Sequence, residues 1–141
     1  MQWIIGPLKK YADFNGRASR MEFWLFLLFV TALTVAAHVV DGPHGREVAI
    51  AMNMGIAELS VFLLFLLPSI TVGVRRLHDT GRSGWWTMLV YLPWLATLVS
   101  QSNPALVLAS AGALLAGGVG WIILLLLPGN DGENAFGLPP S

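Results

Sequence analysis

The sequence predicts an all-α, polytopic membrane protein of four transmembrane helices preceded by a short amphipathic N-terminal helix. Three observations carry that expectation. Hydrophobic residues make up 55% of the 141 positions and charged residues 11%, against about 25% charged in an ordinary soluble domain. So little charge does not coat a globule in water, and the solvent for most of the surface is therefore lipid. The apolar residues gather in four runs, over residues 23–40, 54–74, 85–100 and 106–127, each near the ~20 residues that a spanning helix needs. Charge is also placed unevenly: four crossings put Lys9, Lys10, Arg17, Arg20, Arg75, Arg76 and Arg82 on one side and Arg46 alone on the other. In short loops that bias is the positive-inside signal, and it predicts cytoplasmic amino and carboxyl termini. The length fits one domain over residues 1–141.

Each element has its own signal. In the first fifteen residues Ile4, Leu8 and Tyr11 share a helical face, with Trp3 and Phe14 at its edge and Lys9-Lys10 beside it. The pattern suits a short interfacial helix with snorkelling lysines, although Gly6-Pro7 works against its regularity. Asn15-Gly16 is turn chemistry. Ser19 and Glu22 then have the spacing of a capping box, which starts a helix just before the hydrocarbon and makes both residues structural caps. Basic residues ahead of the 23–40 run and Val35-Ala36-Ala37 within it raise the alternative of a cleaved signal peptide. The run is too long for that, and three more follow it.

His38 stands near the far end of the first span as an interfacial hydrogen-bonder, and Asp41-Gly42-Pro43 opens a polar connection. The second span holds Glu58 one turn inside, placed to reach water or Arg46, and Pro68, which removes a backbone hydrogen bond and is expected to kink the helix. Ser69 or Thr71 is placed to satisfy the freed carbonyls. Residues 85–100 form a short third span with Pro93 inside it and Trp85, Trp86 and Trp94 as anchors. In the fourth, Ala109, Ala113 and Gly117 recur every four residues, as do Gly112, Ala116 and Gly120, and small residues at that spacing let helices pack closely. Pro128-Gly129 stops this helix and a turn-rich acidic tail follows.

Three polar stretches share the predicted cytoplasmic side. They are Phe14-x-Gly16-Arg17-x-Ser19-Arg20-x-Glu22-Phe23-Trp24, the unbroken Arg75-Arg76-Leu77-His78-Asp79-Thr80-Gly81-Arg82-Ser83-Gly84-Trp85-Trp86, and Pro128-Gly129-x-x-Gly132-x-Asn134-x-Phe136-Gly137. Together they resemble the signatures of the DUF805 family of small bacterial inner-membrane proteins, over nearly the whole chain. Phe136 stands where that family often has tyrosine, and Ala135 where a basic residue is frequent. The resemblance implies a polytopic membrane protein and no established activity, so it carries over no catalytic residue.

The residues themselves favour a non-enzymatic binding or scaffold module. Arg17, Arg20, Arg75, Arg76, His78, Asp79 and Arg82 are its candidate contacts for anionic lipid headgroups or a protein partner, since arginine forks suit phosphate. An interfacial carboxylate is costly unless paired. Asp79 is therefore expected to bond one of the arginines 17, 20, 75, 76 or 82, with Asn134 or Phe136 covering its loop from the tail. A small transporter or channel subunit is the first alternative, resting on Pro68, Pro93 and Glu58. A membrane-embedded enzyme using His78 and Asp79 is the second. The partners expected are membrane lipids, and a homo-oligomer or another membrane protein. The chain has no cysteine, which excludes disulfides and thiolate sites, and His38 and His44 fall on the side opposite His78. No cofactor or metal is expected, and the absence of a basic tail argues against nucleic acid.

Overall fold

A computed structural model describes residues 2–42, 54–99 and 102–140. Its helices are α1 (Gln2–Lys9), α2 (Arg20–Asp41), α3 (Ile56–Asp79), α4 (Met88–Val99) and α5 (Pro104–Leu126), with a 3-10 turn at Gly84–Thr87 ahead of α4. Two compact units form, one of Met1–Phe14 with Met21–Val72, the other of Asn15–Arg20 with Gly73–Ser141.

The all-helical, multi-pass architecture stands, but the span count needs correction. Among the described residues three helices are long and apolar enough to cross a membrane, Arg20–Asp41, Ile56–Asp79 and Pro104–Leu126, not four. The stretch read as a span over 85–100 is divided between the 3-10 turn and the twelve-residue α4. Ser83 explains the division. Its hydroxyl accepts the Trp85 amide at 3.4 Å and starts a tight turn, so that regular helix begins only at Met88.

A second difference concerns α3. It runs to Asp79, so Arg75, Arg76, Leu77, His78 and Asp79 are its last turns and not part of a loop. Nothing before Gly81 breaks the helix, and cations are favoured where the helix dipole turns negative. Gly81, at φ +74°, then ends it in a left-handed cap. The Gly81 amide donates to the His78 carbonyl at 2.9 Å, and the Arg82 amide donates to the Leu77 carbonyl at 3.0 Å. That pair of bonds is the Schellman motif, and it accounts for the glycine two residues after Asp79.

In the first unit α2 and α3 run antiparallel. Phe26 and Phe29 both meet Phe65, the latter edge-on with ring centres 5.9 Å apart. At the far end of the pair the Asp41 carboxylate caps α3, accepting the amides of Ala57 at 3.0 Å and Glu58 at 2.8 Å. Glu58 itself meets His38 Nδ1 at 2.9 Å. Arg46, its other expected partner, lies outside the described residues. Pro68 has no N–H to return to the Leu64 carbonyl one turn back. The Tyr11 hydroxyl donates to that carbonyl instead, at 2.6 Å. Thr71 Oγ1 lies 3.0 Å from the Pro68 carbonyl and 3.3 Å from that of Tyr11.

In the second unit α4 and α5 pack antiparallel. Asn103 and Pro104 open α5, the Asn103 side chain accepting the Ala105 amide at 3.1 Å, with proline at the first helical position. The stripe of small residues works as its spacing predicts at Gly117, where a β-carbon would collide with the Leu89 carbonyl of α4. That carbonyl is the one from which Pro93 withholds its N–H bond, so the glycine admits a close backbone approach just where α4 is broken. Thr97 of α4 and Ser110 of α5 join their hydroxyls at 3.1 Å two turns further on. The second stripe is different: Gly112 and Gly120 have open space beyond them.

Candidate functional site: a buried arginine–aspartate clasp

The interior of the second unit is charged. Arg75 and Arg76 are fully buried, Asp79 is 4% exposed and Arg17 6%. Burial of ionic groups is tolerable where they are paired and hydrogen-bonded, and the geometry supplies that pairing for Arg17, Arg76 and Asp79.

Asp79 is the centre. Its Oδ1 accepts Arg17 Nε at 2.9 Å and lies 2.9 Å from Arg17 Nη2, a two-pronged grip on one carboxylate oxygen. Its Oδ2 accepts from Arg76 Nη1. Around this centre the tail is wrapped. Arg17 Nη1 donates to the carbonyls of Gly132 at 2.6 Å and Gly137 at 3.2 Å, and Nη2 donates to that of Asn130. Every nitrogen of the Arg17 guanidinium therefore has an acceptor within the chain. Arg76 Nε donates to the Leu125 carbonyl at 3.2 Å and Nη2 to that of Leu127. Arg20 Nε reaches Leu127 at 3.2 Å. Carbonyls at the end of α5 lack helical partners, and cations are favoured there by the helix dipole. Arg76 and Arg20 thus act as its C-terminal cap.

Backbone contacts close the clasp. The Ala18 amide donates to the Arg75 carbonyl at 3.0 Å, and the Asn130 amide to the Asp79 carbonyl at 2.9 Å. Gly129 must be glycine because a β-carbon there would strike the Asp79 carboxylate. Gly84 passes so close to Val74 that it has no room for a side chain either. The tail folds back in a small hairpin, Asn134 and Gly137 exchanging backbone bonds of 3.2 and 3.0 Å. The tip of that hairpin places Phe136 flat on His78, ring centres 3.9 Å apart and planes 3° from parallel. Asn134 Nδ2 donates to the His78 carbonyl at 2.9 Å, and His78 Nδ1 faces the Gly16 carbonyl at 3.2 Å. A tyrosine hydroxyl is not needed for this stacking, so Phe136 fills the position.

The candidate residues therefore divide. Arg17, Arg75, Arg76 and Asp79 are interior, His78 is half-buried under Phe136, and Arg20 and Arg82 remain at the surface, Arg82 partly covered. Arg82 makes one long bond, Nη1 to the Thr80 carbonyl at 3.5 Å. Ser19 directly precedes the first residue of α2, and Glu22 of its first turn lies against Gly6 of α1. His78 and Asp79, adjacent in sequence, face different partners and do not form an acid–base pair with each other. Among the described residues no three His, Cys, Asp or Glu side chains gather as metal ligands. Sequence reasoning missed Asp41 as the cap of α3, Tyr11 as the partner of Leu64, and Gly129 as the seat of Asp79. The proline four residues after Leu64 was the one available signal for Tyr11.

Apolar helices of spanning length, with an ionic clasp in the second unit that holds Arg17, the end of α3 and the tail together, define a multi-pass helical membrane protein. The chain belongs to the DUF805 family: the family model, described as "Protein of unknown function (DUF805)", matches residues 11–138. It is similar to the Escherichia coli K12 protein named "Inner membrane protein YhaH", 32% identical across 100% of this chain and 98% of the relative. It is also similar to "Inner membrane protein YhaI" of the same strain, 28% identical over 100% and 97%, and to "Uncharacterized protein YiiR", 28% identical over 96% and 86%. No solved structure matches. The chain is thus an integral inner-membrane protein.

Proposed function

We propose that the protein is a non-enzymatic, four-span inner-membrane module with both termini cytoplasmic, whose clasped end is a rigid platform for anionic lipid headgroups. The observation that carries this reading is the division of the arginines. Arg17 and Arg76 are bound to Asp79 and to backbone carbonyls within the chain, while Arg20 and Arg82 keep guanidinium nitrogens without an acceptor among the described residues. Two fixed cations beside a membrane surface attract anionic headgroups, at about 1 kcal/mol each before any specific bond. Against an enzyme stands the engagement of Asp79 by two arginines, which occupies both carboxylate oxygens with donors from the chain itself.

Four crossings are supported by the geometry of the second unit. Residues 15–20 and the tail join in one clasp, which supports both lying on one side with an even number of crossings between them. The 3-10 turn starts beside Val74, α5 ends at Arg76, and α4 lies antiparallel to α5. If α5 crosses, the segment leading to it must cross back. Four residues at ~2.0 Å and twelve at ~1.5 Å give about 26 Å, close to the ~30 Å of hydrocarbon. Seven basic residues against one support a cytoplasmic clasped side.

The test is lipid analysis of the full chain after detergent exchange, scored by native mass spectrometry. The platform should retain phosphatidylglycerol or cardiolipin at defined stoichiometry and lose it when Arg20 and Arg82 are both glutamine. Retention of no anionic lipid, or equal retention in the double variant, would reject the platform.

A further inference from the structure

We infer that the groove between α4 and α5 holds one acyl chain of an anionic phospholipid whose phosphodiester is bound by Arg82. This rests on the platform reading above and gives it a specific site. The groove, of about 570 Å³, is lined by Trp85 and Trp86 at one end, by Leu92 and Pro93 further along, and by Ala113 and Gly117. That volume lies within the ~300–1,000 Å³ of small-molecule sites. It exists because three sequence features coincide. Ala113 and Gly117 leave no side-chain bulk on α5, Pro93 breaks the regular wall of α4, and Gly117 holds the two backbones together so that the floor does not open.

Three further observations select a lipid as the occupant. From position 85 to position 93 the groove descends roughly 12 Å at ~1.5 Å per residue, most of one leaflet's ~15 Å of hydrocarbon. Its lining is almost wholly apolar, which suits a hydrocarbon chain and no polar solute. Its mouth lies three residues after Arg82, whose guanidinium bonds to the Thr80 carbonyl and makes no ion pair among the described residues. Asp79, the carboxylate nearest in sequence, is held by Arg17 and Arg76 and does not neutralise it. Asp131 and Glu133 are exposed in the tail. Trp85 is 77% and Trp86 48% exposed, and amphipathic indoles at a headgroup boundary are placed to flank an entering lipid. The cap at Ser83 and the contact of Gly84 with Val74 fix the turn that carries them. The charge and the groove therefore have a fixed relation, which a phospholipid matches with its phosphate above its chain.

The experiment quantifies phosphatidylglycerol, cardiolipin and phosphatidylethanolamine retained by the full chain through detergent exchange. Three single variants are compared: Arg82→Gln removes the headgroup contact, Ala113→Phe fills the groove, and Leu92→Trp fills it from an exposed position that tolerates bulk. Thermal unfolding of each shows that it is folded. Anionic lipid should fall about tenfold in Arg82→Gln and in at least one groove-filling variant, with Arg82→Lys intermediate because lysine cannot form the bidentate fork. Loss in Arg82→Gln with both groove-filled variants unaffected means a headgroup-only site and overturns the groove. Unchanged retention in all three also overturns it, leaving the platform to Arg20. Equal retention of phosphatidylethanolamine means annular lipid only and overturns it too. A parent chain that retains no anionic lipid rejects the platform and the groove together.

Discussion

Replacing Asp79 with asparagine keeps the size of the side chain and removes the carboxylate that the described structure places against Arg17 and Arg76. Asparagine has one oxygen where two accepted, and its amide hydrogens point at guanidinium donors. Arg17 and Arg76 then lose the carboxylate that each of them meets in the interior. Removing one partner of a buried ion pair costs about 3–5 kcal/mol, because the remaining charge is left uncompensated. The helix-end and tail carbonyls that also receive Arg17 and Arg76 hold the loss within that range, since they stay in place. For a chain of this length such a loss lowers the melting temperature by on the order of 10 °C. The assay is thermal unfolding in one detergent beside limited proteolysis of the tail, which should become cleavable between residues 129 and 138. Asp131→Asn, at an exposed tail position, serves as control and should stay within about 0.5 kcal/mol of the parent. A melting temperature for Asp79→Asn as close to the parent as the control's, with the tail still protected, would refute the reasoning.

Tyr11→Phe removes the donor to the Leu64 carbonyl and should cost about 0.5–1.5 kcal/mol, the net worth of an intramolecular hydrogen bond. In a Pro68→Ala background the new backbone amide reaches Leu64, and the same change should be nearly neutral; equal costs in both backgrounds would exclude the coupling. Gly117→Ala forces a β-carbon into the Leu89 carbonyl and should destabilise by about 1–3 kcal/mol. Gly112→Ala, with open space beyond it, should be neutral or stabilising, as alanine is the better helix former, so equal melting temperatures for the two variants would contradict the close approach.

Much of this was legible before any coordinates. Composition and the four apolar runs determine a helical membrane protein, and Pro128-Gly129 marks the end of the last helix by local chemistry that needs no tertiary context. The pairing demanded by an interfacial carboxylate pointed Asp79 at the arginines, and Arg17 and Arg76 meet it. What sequence could not rank was which arginine faces inward. Arg75, Arg76 and Arg82 look alike in a row, yet the first two sit on the last turns of α3 and are buried, while Arg82 lies beyond Gly81 and reaches the surface. The end of α3 depended on a glycine cap seven residues past the apolar run, so hydropathy alone stopped it too early. The make-up of the 85–100 stretch was hidden for a related reason: hydropathy does not see the 3-10 turn that takes up its first residues. Tyr11, Asp41 and Gly129 act on partners far along the chain, and only the fold brings those partners to them.

The account rests on both chain ends being held together by Asp79 on one membrane face, and a distance measurement tests that directly. The chain has no cysteine, so single cysteines introduced at the exposed positions Asn15 and Asp131 can carry paired spin labels in reconstituted bilayers. Pulsed electron paramagnetic resonance should give one narrow distance well below the ~30 Å of the hydrocarbon core, and Asp79→Asn should broaden it. A distance beyond the ~40–45 Å of the full bilayer would place the two ends on opposite sides and contradict the clasp.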